Sequence, residues 1–312
     1  MPRGIRGIAL VLAATSLWGL SGTAAQLLFT HDGFSPLFLV VVRLWGAALI
    51  LMLALGVRAP RRLKVPWPDL GRLAIFGLFG FLLVQLSYFA AIASVGVAMA
   101  TFLQYLGPPL IALFFVVIER RAPAPAEALA LALALLGTLL LVLGRGALKL
   151  EPAGVLFGLL SAFSLAFYTI YPHGLIRRQG AFVTTAYGFL FGAIAASLPW
   201  PLWQHGIGQV TTGSLLLIAF VIVLGTLVPF ALYVLALTQL RPTVVGIAAT
   251  AEPLAAAISA FLVLGQALRW PQYVGGALII GAMLALARQN SGRSTASEAE
   301  PTPVAAGGRP DA

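Results

Sequence analysis

The sequence predicts an all-α integral membrane protein, with ten transmembrane helices arranged as two inverted five-helix repeats. Three observations carry that expectation: a composition too apolar for a water-soluble domain, ten separate apolar runs, and a likeness between the two halves at an offset of 145 residues. Of 312 residues, 60% are hydrophobic and 9% charged, with a mean hydropathy of +1.00. Ordinary soluble domains carry about 25% charged residues. A spanning helix uses about 20 apolar residues, so ten of them account for roughly two thirds of the chain and leave only short loops and a tail. Cysteine is absent, which excludes thiol catalysis, disulfides and cysteine-ligated metals.

In chain order the apolar runs fall at about 5–29, 36–57, 71–93, 97–118, 127–144, 153–173, 181–200, 213–237, 243–265 and 272–288. The net charge of +10 fits asymmetric loops around a membrane bundle better than a nucleic-acid surface. With both termini placed on the cytoplasmic side, three of the 19 Lys and Arg (Arg145, Lys149 and Arg269) fall outside and one, Arg43, falls within a span. All the others lie inside, among them Arg58, Arg61, Arg62, Arg120, Arg121, Arg177, Arg178 and Arg241. That alternation supports ten crossings in the inner membrane. Arg3 and Arg6 before an apolar stretch also resemble a secretory signal, but a run of about 25 residues is long for one, and its removal would spoil the alternation. After Arg288 the composition turns to Ser, Thr, Pro, Gly and Glu, as expected of a disordered cytoplasmic tail over 289–312.

At the offset of 145, Gly80 falls on Gly225, Tyr88 on Tyr233, Ala91 on Ala236 and Pro108 on Pro253. These matches divide the chain into repeats at 1–146 and 152–288. Five spans is an odd number, so the second copy enters the membrane from the opposite side. Secondary transporters built this way hold substrate between the repeats and rock one half against the other.

Glu252 lies about nine residues into the ninth run, beside Pro253, with Ala248, Ala249 and Ala256 as its helical neighbours. A carboxylate there must be neutral, paired or in contact with water. It either titrates and contacts substrate or packs against a neighbouring span. Arg43, seven residues into the second run, either snorkels outward or faces the interior towards a carboxylate such as Glu252. Polar and aromatic residues recur at helical spacing as Trp18 in the first run, Gln85 and Tyr88 in the third, Thr101, Gln104 and Tyr105 in the fourth, and Ser164 and Tyr168 in the sixth. With Tyr233, these stripes are expected to line one central cavity. The alternatives are bonds from Ser and Thr to their own helix and an interfacial belt of aromatic rings.

His31, His173 and His205 have no metal-ligand spacing, and no phosphate-binding glycine loop occurs, so neither metal, cofactor nor ATP hydrolysis is expected. The expected partners are a small-molecule substrate, protons as coupling ion and the lipid bilayer. A membrane enzyme would display paired carboxylates or His clusters at a membrane face, and a structural protein has no use for buried Gln, Arg and Glu.

The run Leu17-Trp18-Gly19, Pro36 with Arg43, Leu103 to Pro109 (LQYLGPP), Glu119-Arg120, Glu252-Pro253 and Gly275-Gly276, taken in order, resembles the EamA branch of the drug/metabolite transporter superfamily over residues 5–288. Where that family has Leu-Gly-Glu after the ninth span, this chain has Leu264-Gly265-Gln266. The resemblance implies secondary transport, often export, of amino acids or similar small metabolites and sometimes of toxic compounds. The LQYLGPP run is similar to members that handle carboxylates, amino acids and amines.

Overall fold

The computed structural model describes residues 3–144, 151–198, 208–265 and 267–298. Every regular element among them is helical. Among the described residues, nine helices are long and apolar enough to cross a membrane: α1 (Gly4–Thr30), α2 (Pro36–Arg58), α3 (Trp67–Ile92), α4 (Met99–Val117), α5 (Pro125–Leu143), α6 (Pro152–Gln179), then, after α7, α8 (Thr212–Ala236), α9 (Pro242–Val263) and α10 (Trp270–Arg288). The apolar α7 (Ala181–Ser197) has 17 residues, about 26 Å at 1.5 Å per residue, which falls short of a full crossing within the described residues. Residues 199–200, which complete the run expected at 181–200, lie outside them. The helix that contains α10 continues to Glu298, ten residues into the stretch expected to be disordered, and 299–312 lie outside the described residues.

Local chemistry sets the helix starts. Pro36, Pro125, Pro152 and Pro242 stand in first turns, where the missing N–H has no partner to lose. Ser35 accepts from the Phe38 N–H at 3.1 Å to cap α2, and Thr211 and Ser214 cap α8 reciprocally. One residue separates α6 from α7, and it is Gly180, whose φ of 84° suits a residue without Cβ. Between α3 and α4 helical geometry persists from Leu83 to Gln104. The hydroxyls of Tyr88 and Thr101 are nevertheless 2.8 Å apart. Thirteen residues of straight helix would separate them by about 20 Å, so the chain reverses between them.

The irregularities recur at the offset of 145. Helix α3 loosens into a π segment at Phe76–Leu82, and α8 does so at Val223–Leu227. Helix α4 breaks at Tyr105 and Leu106, before Gly107-Pro108; α9 breaks at Thr250 and Ala251, before Glu252-Pro253. Helices α3 and α8 begin at residues 67 and 212, and α5 and α10 at 125 and 270.

Packing is crossed between the halves: α1 lies on α8 and α9, α6 lies on α3 and α4, while α2 meets α7 and α5 meets α10. The α5–α10 contact brings backbone to backbone, for a Cβ on Gly137 would stand 2.6 Å from the Gly275 carbonyl oxygen. Large apolar side chains such as Leu53, Val117, Leu156, Leu216 and Leu262 point outward, as expected of a surface that faces lipid.

Candidate functional site

The two helix breaks meet. The first part of α9 ends at Ala249 and Ala251 caps the second, so Glu252 opens the half-helix Glu252–Leu264, where free N–H groups and the helix dipole favour a negative charge. Tyr105 sits in the corresponding break of α4 and donates its hydroxyl to Glu252 Oε2 at 2.7 Å. Tyr105 is buried and Glu252 half-buried. Next to this pair, Tyr88 bonds Thr101, and the Tyr233 hydroxyl bonds Thr169 Oγ1 at 2.8 Å. Electrostatic interactions link Glu252 with Tyr105, Tyr233 and Arg43, and Tyr105 with Tyr88.

An aromatic cluster continues the site. The Trp18 ring meets Phe230 edge-on at 4.8 Å and Tyr233 at 5.5 Å, and Tyr168 lies 5.2 Å from Tyr233. Trp18 Nε1 and the Tyr168 hydroxyl are buried without a hydrogen-bond partner among the described residues. A buried donor left unmade is costly, so these two atoms are suited to a ligand acceptor or a water.

Other expected site residues serve the backbone instead. A π turn leaves carbonyls without their usual i+4 donors, and polar side chains satisfy them here. Arg43 neither snorkels nor forms an ion pair within 4 Å with Glu252 among the described contacts. Its Nε donates to Thr226 Oγ1 at 2.8 Å and its terminal nitrogen to the Gly225 carbonyl at 3.2 Å, both in the π segment of α8. Gln85 donates to the Phe81 carbonyl at 2.9 Å and Ser164 to the Phe79 carbonyl, both in the π segment of α3. Gln104 donates to Ser161, which donates to the Val84 carbonyl. Of the residues expected to line a cavity, Gln104 and Ser164 bond between helices, tying α3, α4 and α6 together, while Gln85 bonds back onto α3 itself. Trp18, Tyr88, Thr101, Tyr105, Tyr168, Tyr233 and Glu252 remain around the meeting point of the breaks.

Sequence reasoning missed two charged clusters at the end of the bundle that carries most Lys and Arg. Asp69, buried, accepts from Arg72 and Arg178 at 3.1 Å each and from Gln179 at 2.7 Å, joining α3 to α6. Glu127, 1% exposed, pairs with Arg241, joining α5 to the start of α9. The available signal was an acidic residue in the first turn after a Pro, at Asp69 and Glu127 alike, which reads equally well as ordinary helix capping. A cavity of about 410 Å³ opens beside the Glu127–Arg241 pair, and one of about 340 Å³ lies at the opposite end, against Gly144 and Gln272.

Comparison with known proteins agrees with this architecture. The model of the EamA-like transporter family matches residues 5–143 and 152–288. The chain is 31% identical over 297 residues to the uncharacterized inner membrane transporter YicL of Salmonella typhimurium, covering 94% of this chain and 98% of that one. It is 27% identical to the uncharacterized transporter YwfM of Bacillus subtilis, covering 93% and 96%, and 32% identical to an uncharacterized transporter of Archaeoglobus fulgidus over 69% and 77%. A solved crystal structure shares the fold at a TM-score of 0.76 and 22% identity, covering 91% of this chain and 98% of that one. Two family matches that together span nearly all of the helical bundle, one on each half, establish the relationship: the chain belongs to the EamA-like transporter family.

Proposed function

We propose that the protein is a secondary active transporter of small metabolites, such as amino acids or related carboxylates and amines, working by alternating access around Glu252 and Tyr105. The observation that carries the reading is the 2.7 Å bond between two helix breaks at corresponding places in the two halves. Broken helices whose ends meet deep in a bundle present dipole ends and unpaired backbone groups to a ligand. The recurrence of π segments, breaks and helix starts at one offset supports two repeats, and the odd number of runs per half supports their inversion. On this reading α7 completes a tenth crossing. The basic end faces the cytoplasm by the positive-inside rule, both termini lie there, and the protein resides in the inner membrane as its relative from Salmonella typhimurium is named. The direction is taken as export on the family resemblance.

Protons serve as the coupling ion, because Glu252 is the acidic side chain at the meeting point and must be compensated to remain charged there. A second reading, efflux of toxic amphipathic compounds, has the aromatic cluster of Trp18, Tyr168, Phe230 and Tyr233 in its favour. Uptake into proteoliposomes, measured over amino acids, their amines and aromatic cations with and without a pH gradient, tests both. Gradient-dependent movement of an amino acid or amine supports the first reading. Movement confined to aromatic cations supports the second, and no movement of any solute contradicts both.

A further inference from the structure

The two cavities at the ends of the bundle occupy corresponding places in the halves. The one at the basic end is lined by Ala112, Phe115, Ala122, Pro123 and Glu127; the other is lined by the residues 145 positions later, Ala257, Ala260, Ala267, Leu268 and Gln272. Only the last of these five pairs changes charge. Gln272 turns back on its own helix, where its Oε1 accepts from the Arg269 N–H at 2.9 Å. Glu127 instead reaches across to Arg241 and so ties one half to the other.

The ion pair is placed to act as a door. Arg241 stands at the start of α9, eleven residues before Glu252, or about 16 Å along the helix axis. Glu127 is the most buried charged group on the cavity wall. Separating the halves at this end pulls the pair apart, and a buried charge deprived of its partner is strongly unfavourable. A ligand that brings only one charge restores one partner and strands the other. A ligand carrying both an ammonium and a carboxylate satisfies Glu127 and Arg241 together. The same wall holds the Gln239 amide oxygen, buried and without a partner among the described residues, which adds an acceptor suited to an ammonium group.

We propose that the cavity at the basic end is a recognition site for a small zwitterion, which opens that end by exchanging the Glu127–Arg241 ion pair for two ion pairs with the ligand. The cavity at the other end has Arg269 on its wall but, among the described residues, no ion pair that ties the halves together there, so the demand for both charges at once belongs to one mouth only. The inference rests on the alternating-access reading but names a site separate from Glu252.

The chain has no Cys, so a single Cys in place of Ala249, which is 3% exposed and lies between Arg241 and Glu252, reports opening from this end. The full-length protein in sealed vesicles of each orientation is treated with a membrane-impermeant maleimide. Glycine is the probe zwitterion, glycinamide the cation and N-acetylglycine the anion. Saturating glycine should speed labelling from the basic end about tenfold, while glycinamide, N-acetylglycine and an equimolar mixture of the two should not. Glu127→Gln should label as fast without any probe, and the exchanged pair Glu127→Arg with Arg241→Glu, which keeps an ion pair, should label slowly. Unchanged labelling with glycine while Glu127→Gln labels fast overturns the zwitterion site. Slow labelling of folded Glu127→Gln overturns the door, and acceleration by either single ion overturns the requirement for both charges. Labelling needs no net flux, so a negative result leaves transport through Glu252 standing. Absence of flux with a positive labelling result would instead count against the transport reading alone.

Discussion

Glu252 occupies its place because a helix stops just before it and a tyrosine from the other half meets it. Deleting only the Tyr105 hydroxyl, in Tyr105→Phe, removes a hydrogen bond to a charged group, an interaction of about 1.5–3 kcal/mol. Substrate flux should fall by about tenfold to a hundredfold while the protein still elutes as wild type and melts only slightly lower; unchanged flux would make the bond a packing detail. Glu252 and Tyr105 stood out in the sequence as a carboxylate and a polar aromatic deep in apolar runs, and the structure brings them within a hydrogen bond of each other. What Arg43, Gln85 and Ser164 do was not legible, because their partners are carbonyls released by π turns. Hydropathy reports where a helix runs, not where its hydrogen-bond ladder slips by one residue.

At the scale of elements, the glycines decide how near the helices come. A methyl on Gly137 meets the Gly275 carbonyl at 2.6 Å, an atom that can move only with its helix, whereas a methyl on Gly22 meets nothing within 4 Å. Gly137→Ala should therefore destabilise the α5–α10 contact by about 1–3 kcal/mol, seen as a lower melting temperature in detergent, and Gly22→Ala should leave it unchanged. Equal melting of the two variants would show that α5 and α10 can separate without loss. The apolar runs located the helices, and the offset of 145 suggested which of them correspond. Which helix packs on which followed from neither, since α1 lies on α8 and α9, more than 180 residues away along the chain. The Glu127–Arg241 pair escaped for the same reason: 114 positions separate two residues that each look like helix-end charges.

For the whole molecule, the charge alternation predicts an orientation that reporters can test. A fusion after Gln289 should report the cytoplasm and one in the 201–212 loop the periplasm; the reverse pattern would turn the bundle over and place the zwitterion cavity outside. The central claim is that one carboxylate between two inverted halves governs transport, and Glu252→Gln tests it most directly because it keeps the side chain's shape and removes its charge. The measurement is solute flux in proteoliposomes across an imposed pH gradient, compared with flux at equal pH. Glu252→Gln should fold and bind as before yet move solute at the same rate with and without the gradient, if the carboxylate carries the proton. A folded Glu252→Gln protein with wild-type flux and a wild-type response to the gradient would contradict the account.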